Sequence, residues 1–224
     1  MILITKTPEP QELTDAKRRG LKDYKELEHE PEVRRAIKQQ LLSEQGHLCA
    51  YCMQRITIDS MGIEHYIPQH PEDQNYDPAL TIDYRNMLAV CKGNEQNAGC
   101  YQNLTCDKHR KNQPLTVDPC SVSSISHIRY RTNAEIYSED PAIDHDVNIV
   151  LNLNNIPSRL PQNRKSALDA LQKKIHTELK GKSMTKAYCQ KYLDYYKTKN
   201  AEDELTPYVG ILIAYLEKRL RQIP

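Results

Sequence analysis

The sequence contains no phenylalanine and no tryptophan, so its 14 tyrosines must supply every large ring. Tyrosine carries a polar tip that seeks a partner or water, which predicts rings at core edges and interfaces rather than deep inside. Long apolar runs are also missing. None approaches the roughly 20 residues that a membrane-spanning helix needs, and the mean hydropathy of −0.75 is that of a soluble chain. The apolar start Met1-Ile2-Leu3-Ile4 is cut off by Lys6 and Pro8 and lacks a signal-peptide leader. That start predicts a cytoplasmic protein. A basic excess is absent too: 31 Lys and Arg against 30 Asp and Glu leave a net charge of +1. Proteins that grip nucleic acid unaided usually carry clear positive charge. A nucleic-acid function would therefore require locally concentrated charge or a partner.

What the chain does have is sulfur, in one place. Five of its seven cysteines fall between positions 49 and 106. In a reducing compartment such clustering favours a metal over disulfides. The two-residue gap of Cys49-Ala50-Tyr51-Cys52 lets a tight turn aim both thiolates at one ion, and two more soft ligands would complete a tetrahedral Zn²⁺ site. Cys91 and Cys106 are the preferred pair because they bracket an insertion and sit where regular elements begin and end. Cys100 is the rival.

At 224 residues the chain is one medium domain or a small one with helical additions. Residues 1–48 read as a helical segment, with Pro31 suited to a first turn and Val33, Ile37 and Leu41 recurring every four residues up to Gly46. Residues 49–120 read as strand, strand, helix: Gly62 to Ile67, Arg85 to Val90, and a helix beginning at Asp107 with Thr105 as N-cap. A polar loop with Pro68, Pro71 and Pro78 separates the strands. Residues 121–224 read as a β-hairpin over Ile125 to Tyr137, then helices around Leu168 to Leu179, Tyr188 to Tyr196, and from Thr206-Pro207 to Leu220. The fold class expected is α+β, with the last region a surface for a partner.

Interleaved with the cysteines is a set of side chains suited to phosphodiester hydrolysis. That chemistry needs a base for water, a cation for the charge building on phosphate, and a scaffold for both. His65 is the natural base. Glu64 offers a carboxylate to a hard cation, and Asp107 and His109 can approach from the helix. Asn86, across the hairpin, can fix the loop that carries the imidazole. Neighbours on a regular strand face opposite ways, so Glu64 and His65 serve one site only if the strand end is distorted. Lys108, Arg110 and Lys111 are the expected phosphate contacts, and Arg129 and Arg131 could extend that groove. The Tyr188 to Tyr196 stripe reads as helix packing or partner interface.

Taken together, Cys-x-x-Cys, Glu-His-x-x-Pro, Asn-x-Leu-x-x-Cys and Cys-Asp-x-x-x-Lys resemble the HNH endonuclease family and its ββα-metal fold. The resemblance implies a general-base histidine at His65, an orienting Asn86, a third motif position at His109, and a catalytic Mg²⁺ or Mn²⁺ beside the structural Zn²⁺. Flanking pieces (Glu44-Gln45, Asn86-Met87-Leu88, and Leu151-Asn152-Leu153-Asn154) resemble the PtuB-like HNH proteins of Septu and retron anti-phage systems. That likeness implies a PtuA-like ATPase partner, in some systems with a reverse transcriptase and its RNA–DNA product. The chain departs from the family in two ways. Its gap from Asn86 to His109 is long, and Asp107 stands where many relatives have His. Asp107, His109 or both therefore remain open as helix-borne metal ligands. The substrate also remains open between DNA and RNA, as does a zinc-clipped binding module without turnover.

Overall fold

The structure, a computed structural model, describes residues 1–69 and 77–223. Pro71, expected in the inter-strand loop, lies outside the described residues. In chain order the helices are α1 (Gln11–Arg18), the single turn α2 (Tyr24–Leu27) and α3 (Pro31–Glu44). Next come the antiparallel strands β1 (Met61–His65) and β2 (Met87–Cys91), then the short helix α4 (Cys106–Arg110). The C-terminal region holds α5 (Val122–Ser126), the small hairpin β3 (Ile128–Tyr130) and β4 (Ile136–Ser138), and α6 (Pro141–His145) running into a π-helical turn. It closes with α7 (Leu160–Leu179), α8 (Lys186–Lys197) and α9 (Val209–Gln222). Mixed helix and small sheet make this an α+β chain. No helix among the described residues is long and apolar enough to cross a membrane.

Two apolar clusters carry the packing. In the first, Leu13, Leu27, Ile37 and Leu41 from the N-terminal helices pack with Tyr51, Met87 and Val90. β2 is buried along its whole length, so this cluster sets where its ends lie. The second joins Leu171 and Ile175 of α7 to Cys189 and Leu193 of α8 and Leu212 and Leu216 of α9. Tyr192 and Tyr196 are buried in that second cluster while Tyr195 stays exposed, so the tyrosine stripe is largely packing. Arg164, also fully buried, ties α7 to the hairpin. It donates to the carbonyls of Ala134 (2.9 Å) and Leu153 (3.0 Å) and to Asn154 Oδ1 (2.7 Å).

Several boundaries differ from the sequence reading for local reasons. The hairpin starts three residues late because Ser121 accepts from the amide of Ser124 and turns residues 122–126 into a helix. Thr105 holds the N-cap position of α4 without a side-chain cap bond. Instead, the amide of Cys106 donates to the carbonyl of Leu151 (2.8 Å), and Cys106 takes the left-handed backbone region at φ 54°. α9 begins at Val209 rather than at Pro207.

Gln45 shows how the pieces lock together. Buried at the end of α3, its side-chain amide donates to the carbonyl of Ala89 and accepts from the Ala89 amide, both at 2.8 Å. The same amide nitrogen donates to the carbonyl of Leu48 (2.8 Å). A side chain thus completes hydrogen bonds of β2 and holds the first cysteine turn beside it.

Candidate metal centre and catalytic site

Three elements converge on one sulfur cluster. A turn between Leu48 and Arg55 carries Cys49 and Cys52, the amide of Met53 donating to the carbonyl of Cys49 (3.0 Å). Cys91 ends β2 and Cys106 opens α4. All four Sγ atoms are buried and lie within 4.8 Å of one another. Cys49 and Cys106 are 3.9 Å apart, and Cys52 and Cys91 3.8 Å. These gaps are far longer than the about 2.05 Å of a disulfide. They match the roughly 3.8 Å edge of a tetrahedron with metal–sulfur bonds of about 2.3 Å. Four buried cysteine sulfurs at this spacing are suited to a soft cation such as Zn²⁺. Cys100 is exposed and outside the cluster.

The long gap between Cys91 and Cys106 is closed at its base. The amide of Thr105 donates to the carbonyl of Gly93 (3.0 Å), and the amide of Gly93 donates to Cys91 Sγ (3.4 Å). Gly93 has φ +54°, and a Cβ there would lie 2.3 Å from the carbonyl oxygen of Thr105. Only glycine allows this approach. The insertion therefore leaves and returns at one point, and its length does not alter the spacing of the sulfurs.

Next to the cluster, β1 and α4 face each other through polar groups. Glu64, opposite Leu88 in the strand register, is 6% exposed. Its Oε1 accepts from Tyr51 Oη (3.2 Å) and from Arg110 Nη1. Burial first, and then the adjoining side chain of Asp107, hold the Glu64 carboxyl well above the ordinary carboxylate range. Two carboxyl groups pressed together in this way are costly without a proton or a cation between them.

Arg110, expected among the phosphate contacts, is completely enclosed. Its guanidinium donates to the carbonyls of Gln113 (2.7 Å), His65 (3.2 Å) and Tyr66 (2.6 Å), to Tyr51 Oη (3.2 Å) and to Glu64. The physical reason is helix phase: Arg110 sits three residues after Asp107 and shares its face of α4. Arg110→Met should thus destabilise the fold by about 3–5 kcal/mol, because it removes the charged donor from buried Glu64 and the donors of three carbonyls. A urea melt measures this. A surface phosphate contact would instead leave stability within about 0.5 kcal/mol.

His65 ends β1, opposite Met87, and is 6% exposed. Its Nε2 lies 2.9 Å from the carbonyl of Thr81, which can only accept, so Nε2 carries the proton and Nδ1 the lone pair. The ring also meets Tyr24 edge-on at 4.8 Å. Burial lowers its pKa from the ordinary histidine value, opposed by the Thr81 bond and by the charge of Asp107. Asn86 braces this loop: Oδ1 accepts from the amide of Ile67 (2.6 Å), and Nδ2 donates to the carbonyls of Ile67 and Leu80 (both 3.0 Å). Leu80 precedes the Thr81 that holds the imidazole. Glu64 and His65 engage different partners, and Asp107 acts on both of them.

His109 is placed elsewhere. It lies two residues from Asp107, and positions so spaced do not share a helix face. Its Nδ1 donates to the carbonyl of Val150 (3.0 Å), and its ring stacks on Tyr101 at 4.6 Å. Lys111 Nζ lies 4.4 Å from that tyrosine ring, and Lys108 pairs with Glu95 (3.2 Å). Among the described residues, the four cysteines are the one group of three or more His, Cys, Asp or Glu ligand atoms within 4.8 Å. Glu64, Asp107 and His109 do not meet in that way. Sequence reasoning missed Tyr51 and Thr81. Tyr51 had a signal, as the ring between two cysteines of a tight turn; Thr81 acts through its backbone and has none.

No protein-family model matches the sequence. The chain is 29% identical over 104 residues to a protein of Vibrio cholerae serotype O1 biovar El Tor named "Retron Vc95 putative HNH endonuclease". The match covers 46% of this chain and 47% of that protein, so the chain spans about half the length of the curated relative it matches.

Proposed function

We propose that the chain is a metal-dependent nuclease of the HNH type, with a ββα-metal core in which a structural Zn²⁺ holds β1, β2 and α4 together. Cys49, Cys52, Cys91 and Cys106 would bind that zinc. Glu64 and Asp107 would hold the catalytic Mg²⁺ or Mn²⁺, which when bound supplies positive charge for the developing phosphate and leaving-group charge. The observation that carries this reading is the buried Glu64 beside Asp107, an acidic pair that abuts the strand ending in His65. His65 acts as general base through Nδ1, because its Nε2–H is committed to Thr81. Asn86 holds the backbone on both sides of the imidazole. Arg110 is a positioning residue that orients Glu64. Lys108 of α4 and the exposed Lys111 just past its end remain as contacts for phosphate.

The biological setting follows from the resemblance to PtuB-like proteins and from the name of the Vibrio relative. In that setting the chain is the nuclease of an anti-phage complex controlled by a PtuA-like ATPase, in retron systems with a reverse transcriptase and its RNA–DNA product. The net charge of +1 supports partner control, since a weak solitary grip on nucleic acid limits self-damage. The test is cleavage of plasmid and of RNA by the purified chain with Mg²⁺ or Mn²⁺, alone and with the ATPase. Products with 5′-phosphates indicate attack by water; 2′,3′-cyclic phosphates indicate an RNA substrate attacked by its own 2′-OH.

A second reading, a zinc-stabilised binding module without turnover, is favoured by the engagement of Glu64 with Tyr51 and Arg110. It predicts zinc, partner binding and no cleavage under any metal.

A further inference from the structure

Among the described residues β1 is the one strand paired with β2, so backbone groups on the other edge of β2 need partners from elsewhere. Side chains supply them. Gln45 takes the amide and the carbonyl of Ala89, and Lys6 Nζ donates to the carbonyl of Met87 (3.0 Å). Lys6 comes from the segment ahead of α1, which forms no helix or strand. Its ammonium lies 2.8 Å from Glu44 Oε2 at the end of α3 and 3.8 Å from the centroid of the Tyr84 ring. The Glu44 side chain is 2% exposed and that of Lys6 11%. Glu44 Oε1 accepts from the amide (2.7 Å) and the hydroxyl (2.5 Å) of Thr7, so the acid also holds the segment that carries the lysine.

An ion pair withdrawn from water adds little net stability, because both charges lose their hydration. What distinguishes this pair is its place. Tyr84 and Met87 stand on either side of Arg85 and Asn86. Asn86 carries the loop around the imidazole: its backbone carbonyl accepts from the amide of Tyr66 (2.8 Å), and its Oδ1 accepts from that of Ile67 (2.6 Å). Met87 is also the register partner of His65. We propose that Lys6, held by Glu44, is a positioning residue for the base: it grips the turn on both sides of Asn86, at the Tyr84 ring and the Met87 carbonyl, and so keeps the His65 imidazole in place. The inference rests on the nuclease reading above and deepens it by bringing the segment ahead of α1 into the site. Because Lys6 acts through the Asn86 turn, its loss is felt as a misplaced base and not as a lost substrate contact.

Two measurements on the zinc-loaded full chain test this. The first is amide hydrogen exchange, which needs no activity. In Lys6→Met, similar in length but uncharged, the amides of Tyr66 and Ile67 should exchange roughly tenfold faster than in the wild type. The amide of Ala89, held by Gln45, and the amides of α7 and α9 should keep their rates. The second is plasmid cleavage with Mn²⁺. Lys6→Met should lose roughly 10- to 100-fold in turnover, with KM within about twofold of wild type. Glu44→Gln keeps an acceptor for Thr7 but loses the charge that holds the ammonium, and should show the same pattern to a smaller degree. Faster exchange that extends to α7 and α9 makes Lys6 a general stabiliser and overturns the proposal. Unchanged exchange at Tyr66 and Ile67 overturns it as well, and so does wild-type turnover in Lys6→Met. If the two amides loosen as described while the wild type cleaves nothing under any metal, the nuclease reading has failed and Lys6 holds a loop without a catalytic role.

Discussion

Cys106→Ser should empty the sulfur cluster of metal and remove most of the folding stability of the region around it. The four thiols join the turn at 49–52, the end of β2 and the start of α4, and the backbone of Cys106 continues the link to Leu151. Without a cation, the first apolar cluster and Gln45 still hold β2 and the turn to α3, but α4 is a single short helix that is not stable alone, so its attachment depends most on the cation. Structural zinc contributes an apparent 10–16 kcal/mol in small zinc domains, which equals or exceeds the about 5–15 kcal/mol that holds a whole domain together. Elemental analysis of the purified wild type should find about one zinc per chain. Cys106→Ser should carry far less and melt broadly at lower temperature, and strong chelators should do the same to the wild type. Cys100→Ser is the control: its exposed side chain lies outside the cluster, and zinc and melting should not change. Equal zinc in wild type and Cys106→Ser would refute the cage.

The second large effect is expected at the side chains proposed to be catalytic. His65→Ala should lower cleavage by about 10²- to 10⁴-fold, the usual contribution of a positioned general base. Asp107→Ala should fall by a similar factor, because it removes half of the acidic pair and with it the hold on the cation. His109→Ala is the informative contrast. Its ring is committed to Val150 and Tyr101, so its loss should leave turnover within about tenfold of wild type. Zinc content and circular dichroism must be unchanged in all three for the comparison to count. If His109→Ala is as inactive as His65→Ala, the metal ligand from the helix has been misassigned.

The sequence made the sulfur cluster readable because metal ligation constrains both residue type and spacing, and the choice of Cys91 and Cys106 over Cys100 followed from where the elements begin and end. The long helices were readable for a similar reason: apolar recurrence gave α3 and α9 nearly to their ends, and α7 from Leu168 on, while its first two turns from Leu160 were missed. Arg110 and His109 show where that legibility stops. Both sit in a five-residue helix, too short for a periodic pattern to tell inside from outside, and a basic run there reads as surface. Only the position of α4 against β1 reveals that Arg110 points inward to Glu64 while His109 points to Val150. The contacts of His65 were hidden for a different reason. Thr81 contributes a backbone carbonyl, which no side-chain pattern records.

Mn²⁺ binding to the zinc-loaded chain, followed by electron paramagnetic resonance or calorimetry, tests the acidic pair directly, since it reads the cation rather than its consequences. Wild type and His109→Ala should each bind one exchangeable Mn²⁺ in addition to zinc, and Asp107→Ala should bind none. Retention of Mn²⁺ by Asp107→Ala together with its loss from His109→Ala would contradict the account, and so would a zinc-loaded wild type that takes up no second ion at all.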